Sequence, residues 1–106
     1  LTEIHEGDLY FCLEERKVSV RRKKVDLSAR EFNTLYLLLM NRKRVMTFEI
    51  IAYHVWGEEY VENGLTAIHN IMSRLRQKLK ISSDIPDYII SVRGVGYKFD
   101  VIQQKK

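Results

Sequence analysis

The sequence predicts an α+β domain: an N-terminal antiparallel sheet, three helices and a C-terminal β-hairpin. Three observations predict it. The stretch from Asn63 to Lys80, NGLTAIHNIMSRLRQKLK, repeats Leu65, Ile68, Met72, Leu75 and Leu79 at steps of three and four, the period of an amphipathic helix. Two further helix starts precede it, at Ser28 and Thr47. Short β-prone runs separated by polar or glycine-bearing turns lie before residue 26 and after residue 88.

Taken in order, residues 1–26 read as the sheet. Asp8 to Cys12 and Val18 to Val20 are strands, and Val25 sits in a third short one. Glu14-Glu15-Arg16-Lys17 and Arg22-Lys23-Lys24 are the polar turns between them. The Arg21 to Lys24 run reads first as a solvated hairpin turn and second as a patch for a polyanion. Residues 28–80 form the helical core. Ser28 and Glu31 have capping-box spacing, and Leu27 and Phe32 are placed for a hydrophobic staple. The first helix runs to Asn41 with Phe32, Leu35, Leu38 and Leu39 inward. Arg42-Lys43-Arg44 is a basic connector. Thr47 caps a second helix that ends at Trp56-Gly57, with Phe48, Ile51, Ala52 and Val55 inward and His54 at the buried edge. Glu58-Glu59-Tyr60-Val61-Glu62 is an acidic loop, and Asn63 is the N-cap of the third helix. Ile81 to Asp87 is a linker, with Pro86 barring helix continuation. Residues 88–101 make a hairpin: strand Tyr88 to Val92, turn Arg93-Gly94-Val95-Gly96, strand Tyr97 to Val101. The last two helices and the hairpin together spell a winged helix-turn-helix with an enlarged turn.

Composition narrows the function. With 106 residues, 45% hydrophobic and 30% charged, the chain is one globular domain with a modest core. No apolar run approaches the roughly 20 residues that cross a bilayer. The lone Cys12 can form no internal disulfide, which fits a reducing compartment. Three histidines and one cysteine show no metal spacing, so no cofactor is expected. No phosphate cradle, nucleophile elbow or paired-carboxylate pattern appears, so no enzyme is expected. Charge is uneven. Residues 1–64 hold ten Lys or Arg against eleven Asp or Glu, whereas residues 65–106 hold eight against three. That excess around the third helix suits a phosphate-bearing partner. It equally suits a solubilised helix end, with Arg76, Lys78 and Lys80 complementing the dipole.

The third helix tips the balance. Opposite its apolar stripe lie Thr66, Asn70, Ser73, Arg74 and Gln77, with amide, hydroxyl and guanidinium groups and no carboxylate. That inventory matches base edges and phosphates in a DNA major groove. Arg74 is the leading base reader, and Asn70 and Ser73 share its face. Thr66, near the helix N-terminus, is a phosphate donor. Arg76, on the flank, pairs with a phosphate while packing its stem. Trp56 is a core or rim aromatic whose indole N–H can also reach a phosphate. Arg93, on a glycine-flanked tip, suits a narrow minor groove. Tyr97 either donates to a phosphate or packs the wing. His69, between the faces, touches phosphate or bridges core and solvent.

The motifs Leu27-Ser28-x-x-Glu31-Phe32, Val55-Trp56-Gly57, Met72-Ser73-Arg74-Leu75-Arg76-Gln77-Lys78-Leu79 and Val92-Arg93-Gly94-Val95-Gly96-Tyr97 resemble, in order and across nearly the whole chain, the C-terminal DNA-binding domain of OmpR/PhoB-type response regulators of bacterial two-component systems. The resemblance implies a winged helix with a four-stranded N-terminal sheet, the third helix in the major groove and the wing at the minor groove. It implies a cytoplasmic, nucleoid-associated transcription regulator that binds tandem half-sites of double-stranded DNA, dimeric there and monomeric as a separate domain. It also implies a phosphorylatable receiver domain ahead of Leu1, absent from this chain, and an RNA polymerase contact through Glu58, Glu59, Tyr60 and Glu62. The chain departs from the family where the third helix opens: Leu65, Ala67 and His69 stand where Arg, Thr and Asp are frequent. A winged-helix module for protein interaction is the alternative function.

Overall fold

The computed structural model describes residues 2–57 and 64–101. The first sheet runs in sequence order: β1 (Glu3–Glu6), β2 (Leu9–Cys12), β3 (Lys17–Val20) and β4 (Lys23–Lys24), all antiparallel. Leu9 pairs with Val20 and Phe11 with Val18, and all four are buried. This is the period-two alternation expected of a strand with one face on the core. Two differences from the sequence reading appear here. Glu3–Glu6 forms a strand although it has no apolar alternation, because β2 offers it a full ladder. Val25 falls outside the strands; Lys23–Lys24 takes that place, while the Val25 N–H still bonds the Val18 carbonyl at 2.9 Å. The turn before β4 puts Arg21 and Arg22 at φ of 51° and 67°, a solvated hairpin turn.

Helix α1 (Ala29–Met40) starts as the sequence requires. The Ser28 hydroxyl accepts from the Glu31 N–H at 3.1 Å, and the Glu31 carboxylate accepts from the Ser28 N–H at 2.8 Å. Phe32, Leu35, Leu38 and Leu39 are buried, and Phe32 stacks on Phe11 of the sheet with ring centroids 4.7 Å apart. Each such buried side chain contributes roughly 1.5–3 kcal/mol. Helix α2 (Phe48–Trp56) is capped by Thr47, whose hydroxyl accepts from the Ile50 N–H at 3.2 Å, and closes on Gly57 at φ 62°. His54 is exposed rather than at the buried edge, since it lies about 110° around the helix from the centre of the stripe of Phe48, Ile51, Ala52 and Val55.

Helix α3 is Gly64–Leu79. The wing is β6 (Ile89–Val92) and β7 (Gly96–Phe99). A strand the sequence reading lacked joins it: β5 (Met46–Thr47), between α1 and α2, makes a second sheet of order β5-β7-β6. Two residues are too short a run for alternation to signal. The ladder explains Gly96. A Cβ there would sit 1.9 Å from the Met46 carbonyl oxygen, so only glycine lets the strands meet. Gly94, at φ 77°, serves the turn itself. Among the described residues no helix is long and apolar enough to cross a membrane.

Candidate nucleic-acid interface

The buried side of α3 is Ile68, Ile71, Met72, Leu75 and Leu79. Leu65, counted in the stripe from sequence, is 45% exposed. The physical reason is angular: Ile71 joins the buried set on one flank, which shifts its centre and leaves Leu65 beyond the other. The opposite face stays open. Thr66, Asn70, Ser73, Arg74 and Gln77 are all exposed, and α3 contains no Asp or Glu. Among the described residues Arg74 makes no ion pair. Its guanidinium is therefore presented with its donors unspent. Arg93 is likewise exposed at the wing turn.

The flanks of α3 behave differently. Arg76 donates from Nε to the Ile89 carbonyl at 3.0 Å, and its guanidinium carbon lies 5.5 Å from the Tyr97 ring centroid. The sequence placed Arg76 on a phosphate; here one of its donors ties α3 to the wing. Lys78 bonds the Glu31 carboxylate at 2.7 Å, and that side chain is only 3% exposed. Burial pushes the Glu31 carboxyl up, but the Lys78 ammonium and the Ser28 N–H outweigh it and hold it below its ordinary value. Lys80 pairs with Asp87 at 2.9 Å. On the linker, Asp84 receives a bidentate bond from Arg21, at 3.0 and 2.9 Å, and Arg21 also reaches Asp8. The Arg21 guanidinium holds the Asp84 carboxyl well below the carboxylate range. Much of the local positive charge is thus used within the fold, and the charge balance alone overstated what is free.

Tyr97 takes the packing role, not the phosphate role. It is 4% exposed, and its hydroxyl is hydrogen-bonded to Nδ1 of His69. Burial raises its pKa, with Arg76 opposing, so the hydroxyl stays neutral. Trp56 is half-buried at the rim of the core, with the Arg30 guanidinium carbon 5.7 Å from its ring centroid. The acidic loop, Glu58, Glu59, Tyr60 and Glu62, and the Asn63 cap lie outside the described residues. No metal-binding cluster occurs among the described residues. The pairs Lys78–Glu31 and His69–Tyr97 escaped the sequence reading. The inward parity that Tyr97 shares with Phe99 was the available signal for the second.

The family model for "Transcriptional regulatory protein, C terminal" matches residues 22–99. The chain belongs to this family. Within it the chain is of OmpR/PhoB type, and similar proteins agree. The regulatory protein VanR of Enterococcus faecium is 31% identical over 97 residues, covering 92% of this chain and 42% of VanR. The sensory transduction protein RegX3 of Mycobacterium leprae is 34% identical over 98 residues, covering 92% and 48%. The chain spans less than half the length of these curated relatives. Among solved structures, the RstA DNA-binding domain of Klebsiella pneumoniae, in complex with the RstA box, aligns with a TM-score of 0.77 at 27% identity, covering 93% of this chain and 97% of that one. DrrB of Thermotoga maritima, an OmpR/PhoB homolog, aligns at 0.79 and 26% identity, covering 92% and 43%. This OmpR/PhoB-type domain therefore carries a winged helix whose third helix turns an uncommitted polar face outward.

Proposed function

We propose that this chain is the sequence-specific DNA-binding domain of a two-component response regulator controlling transcription. The observation that carries the reading is the α3 face: five exposed polar or cationic side chains and no carboxylate, on a helix whose other side is locked into the core. A rod so mounted can enter a major groove, about 12 Å wide, without rearranging. Arg74 reads a base edge, with Asn70 and Ser73 beside it. Thr66 and the remaining Arg76 donors approach phosphates, and the indole N–H of Trp56 joins them. Arg93 enters the flanking minor groove. Tyr97 drops out of the phosphate set. The complex of the similar RstA domain with its DNA box supports the assignment. Two copies on tandem half-sites, and a contact of Glu58, Glu59, Tyr60 and Glu62 with RNA polymerase, complete the reading. The family type and the acidity of that loop support this last part.

Titration against a duplex carrying the selected sequence, at several salt concentrations, tests it. DNA binding gives log K falling linearly with log salt, with the slope of several phosphate contacts. Absence of duplex binding even in dilute salt leaves the protein-interaction module as the function.

A further inference from the structure

We infer that Tyr97, through its bond to His69, sets the tilt of the wing against α3 and so fixes the spacing between the bases that α3 reads and the step beneath Arg93. The inference rests on the DNA-binding reading above. It starts from how the wing is held. The ladder of β5 with β7 joins Met46 to Tyr97 and Thr47 to Gly96, and backbone bonds flank it from the Lys43 N–H to the Phe99 carbonyl at 2.8 Å and from the Phe48 N–H to the Val95 carbonyl at 3.1 Å. Ile89 and Phe99 bury the base of the hairpin. These bonds all lie on the β5 side of β7. They set the height of the wing and leave rotation toward or away from α3 to other contacts.

Those contacts converge on Tyr97. Three rings from three elements meet edge to face: Phe48 of α2, His69 of α3 and Tyr97 of β7. Their centroids are 5.6 Å apart for Phe48–His69, 6.2 Å for Phe48–Tyr97 and 5.7 Å for His69–Tyr97. In the tautomer that carries its proton on Nε2, the His69 imidazole accepts at Nδ1 from the Tyr97 hydroxyl. Arg76 closes the cluster from the same flank of α3. A hydroxyl on a residue this buried is costly to leave unpaired, so the tilt that satisfies it is favoured over its neighbours. The geometry then carries outward. His69 adjoins Asn70, and Arg76 lies two residues from Arg74, so the tether sits beside the reading face. Tyr97 lies four residues from Arg93 on the hairpin.

The test is a duplex series in which the A·T-rich flank is moved by one or two base pairs relative to the core sequence. The wild-type chain should peak at one spacing and lose about tenfold for each base pair of displacement. Tyr97→Phe keeps the ring and removes the hydroxyl. It should flatten the series to within about threefold while binding the core alone as well as wild type. His69→Leu, which breaks the same bond from the exposed side, should flatten it too, and this second variant stands if Tyr97→Phe folds poorly. His69→Gln, which keeps an acceptor, should restore the peak. A peak unchanged in Tyr97→Phe and His69→Leu overturns the inference. So does a loss of affinity equal at every spacing, which is what a merely structural hydroxyl would give. A wild-type chain that binds no duplex would instead overturn the DNA-binding reading beneath it.

Discussion

Arg74 and Lys78 stand one turn apart on the same helix and do opposite work. Arg74 is exposed and makes no ion pair among the described residues, whereas Lys78 reaches across to a carboxylate on α1 that is 3% exposed. The contrast extends to their neighbours. Asn70 and Ser73 share Arg74's outward face; Arg76 and Lys80 are bonded to the wing and to Asp87. The difference teaches that a basic helix is not one electrostatic object. About 40° of helical phase decides whether a cation holds the domain together or waits for a partner.

The most forceful way to break this contrast is Lys78→Glu. It sets two carboxylates against each other, one of them buried, and should cost about 3 kcal/mol of folding stability. The partial exposure of Lys78 keeps the figure at the low end of what breaking a buried pair costs. Chemical denaturation of the chain without DNA measures it, since the reversed charge one turn from Arg74 also repels phosphates. Arg74→Ala should do the reverse. It should leave the unfolding midpoint where it is and weaken binding to the selected duplex by about 1–3 kcal/mol, seen by fluorescence anisotropy. Equal losses on selected and random duplex would show that Arg74 touches only phosphate.

Acid loosens the same tie more gently. The Glu31 carboxyl is held below its ordinary value of 4.5, so the folded chain favours its charged form. Its contribution to stability is complete above that ordinary value and is lost as pH falls through the lowered one. Melting curves over this range should fall less steeply for Glu31→Gln than for wild type. The smallest effect is expected at the wing tip. Arg93→Ala should reduce affinity by about threefold to tenfold, and chiefly on duplexes whose flank is A·T-rich. A flank preference unchanged in a binding-site selection would remove Arg93 from the minor groove.

The fold was legible where a residue pattern is long or chemically specific. The capping box at Ser28 and Glu31 and the Thr47 cap match the structure bond for bond. The wing turn matches at Arg93, Gly94 and Val95, whereas Gly96 already belongs to β7, where the approach of Met46 requires it. What stayed hidden was set by pairing across the chain. Strand β5 is two residues long, and β1 lacks alternation, so each exists because a partner strand supplies its ladder. Leu65 misled because a period of three and four tolerates one residue too many at the edge of a stripe. At the interface, the outward face of α3 could be computed from the helical period. The fate of Arg76, Lys78 and Tyr97 could not, because Ile89, Glu31 and His69 lie 13, 47 and 28 residues away in sequence.

The central claim is that α3 reads bases with the face that carries Arg74. Selection from a randomised duplex library, run in parallel with the wild-type chain and with Arg74→Ala, tests it most directly. The wild type should yield a defined motif, and the variant the same motif with one base position relaxed. Identical motifs from both chains, or no enrichment by the wild type, would contradict it.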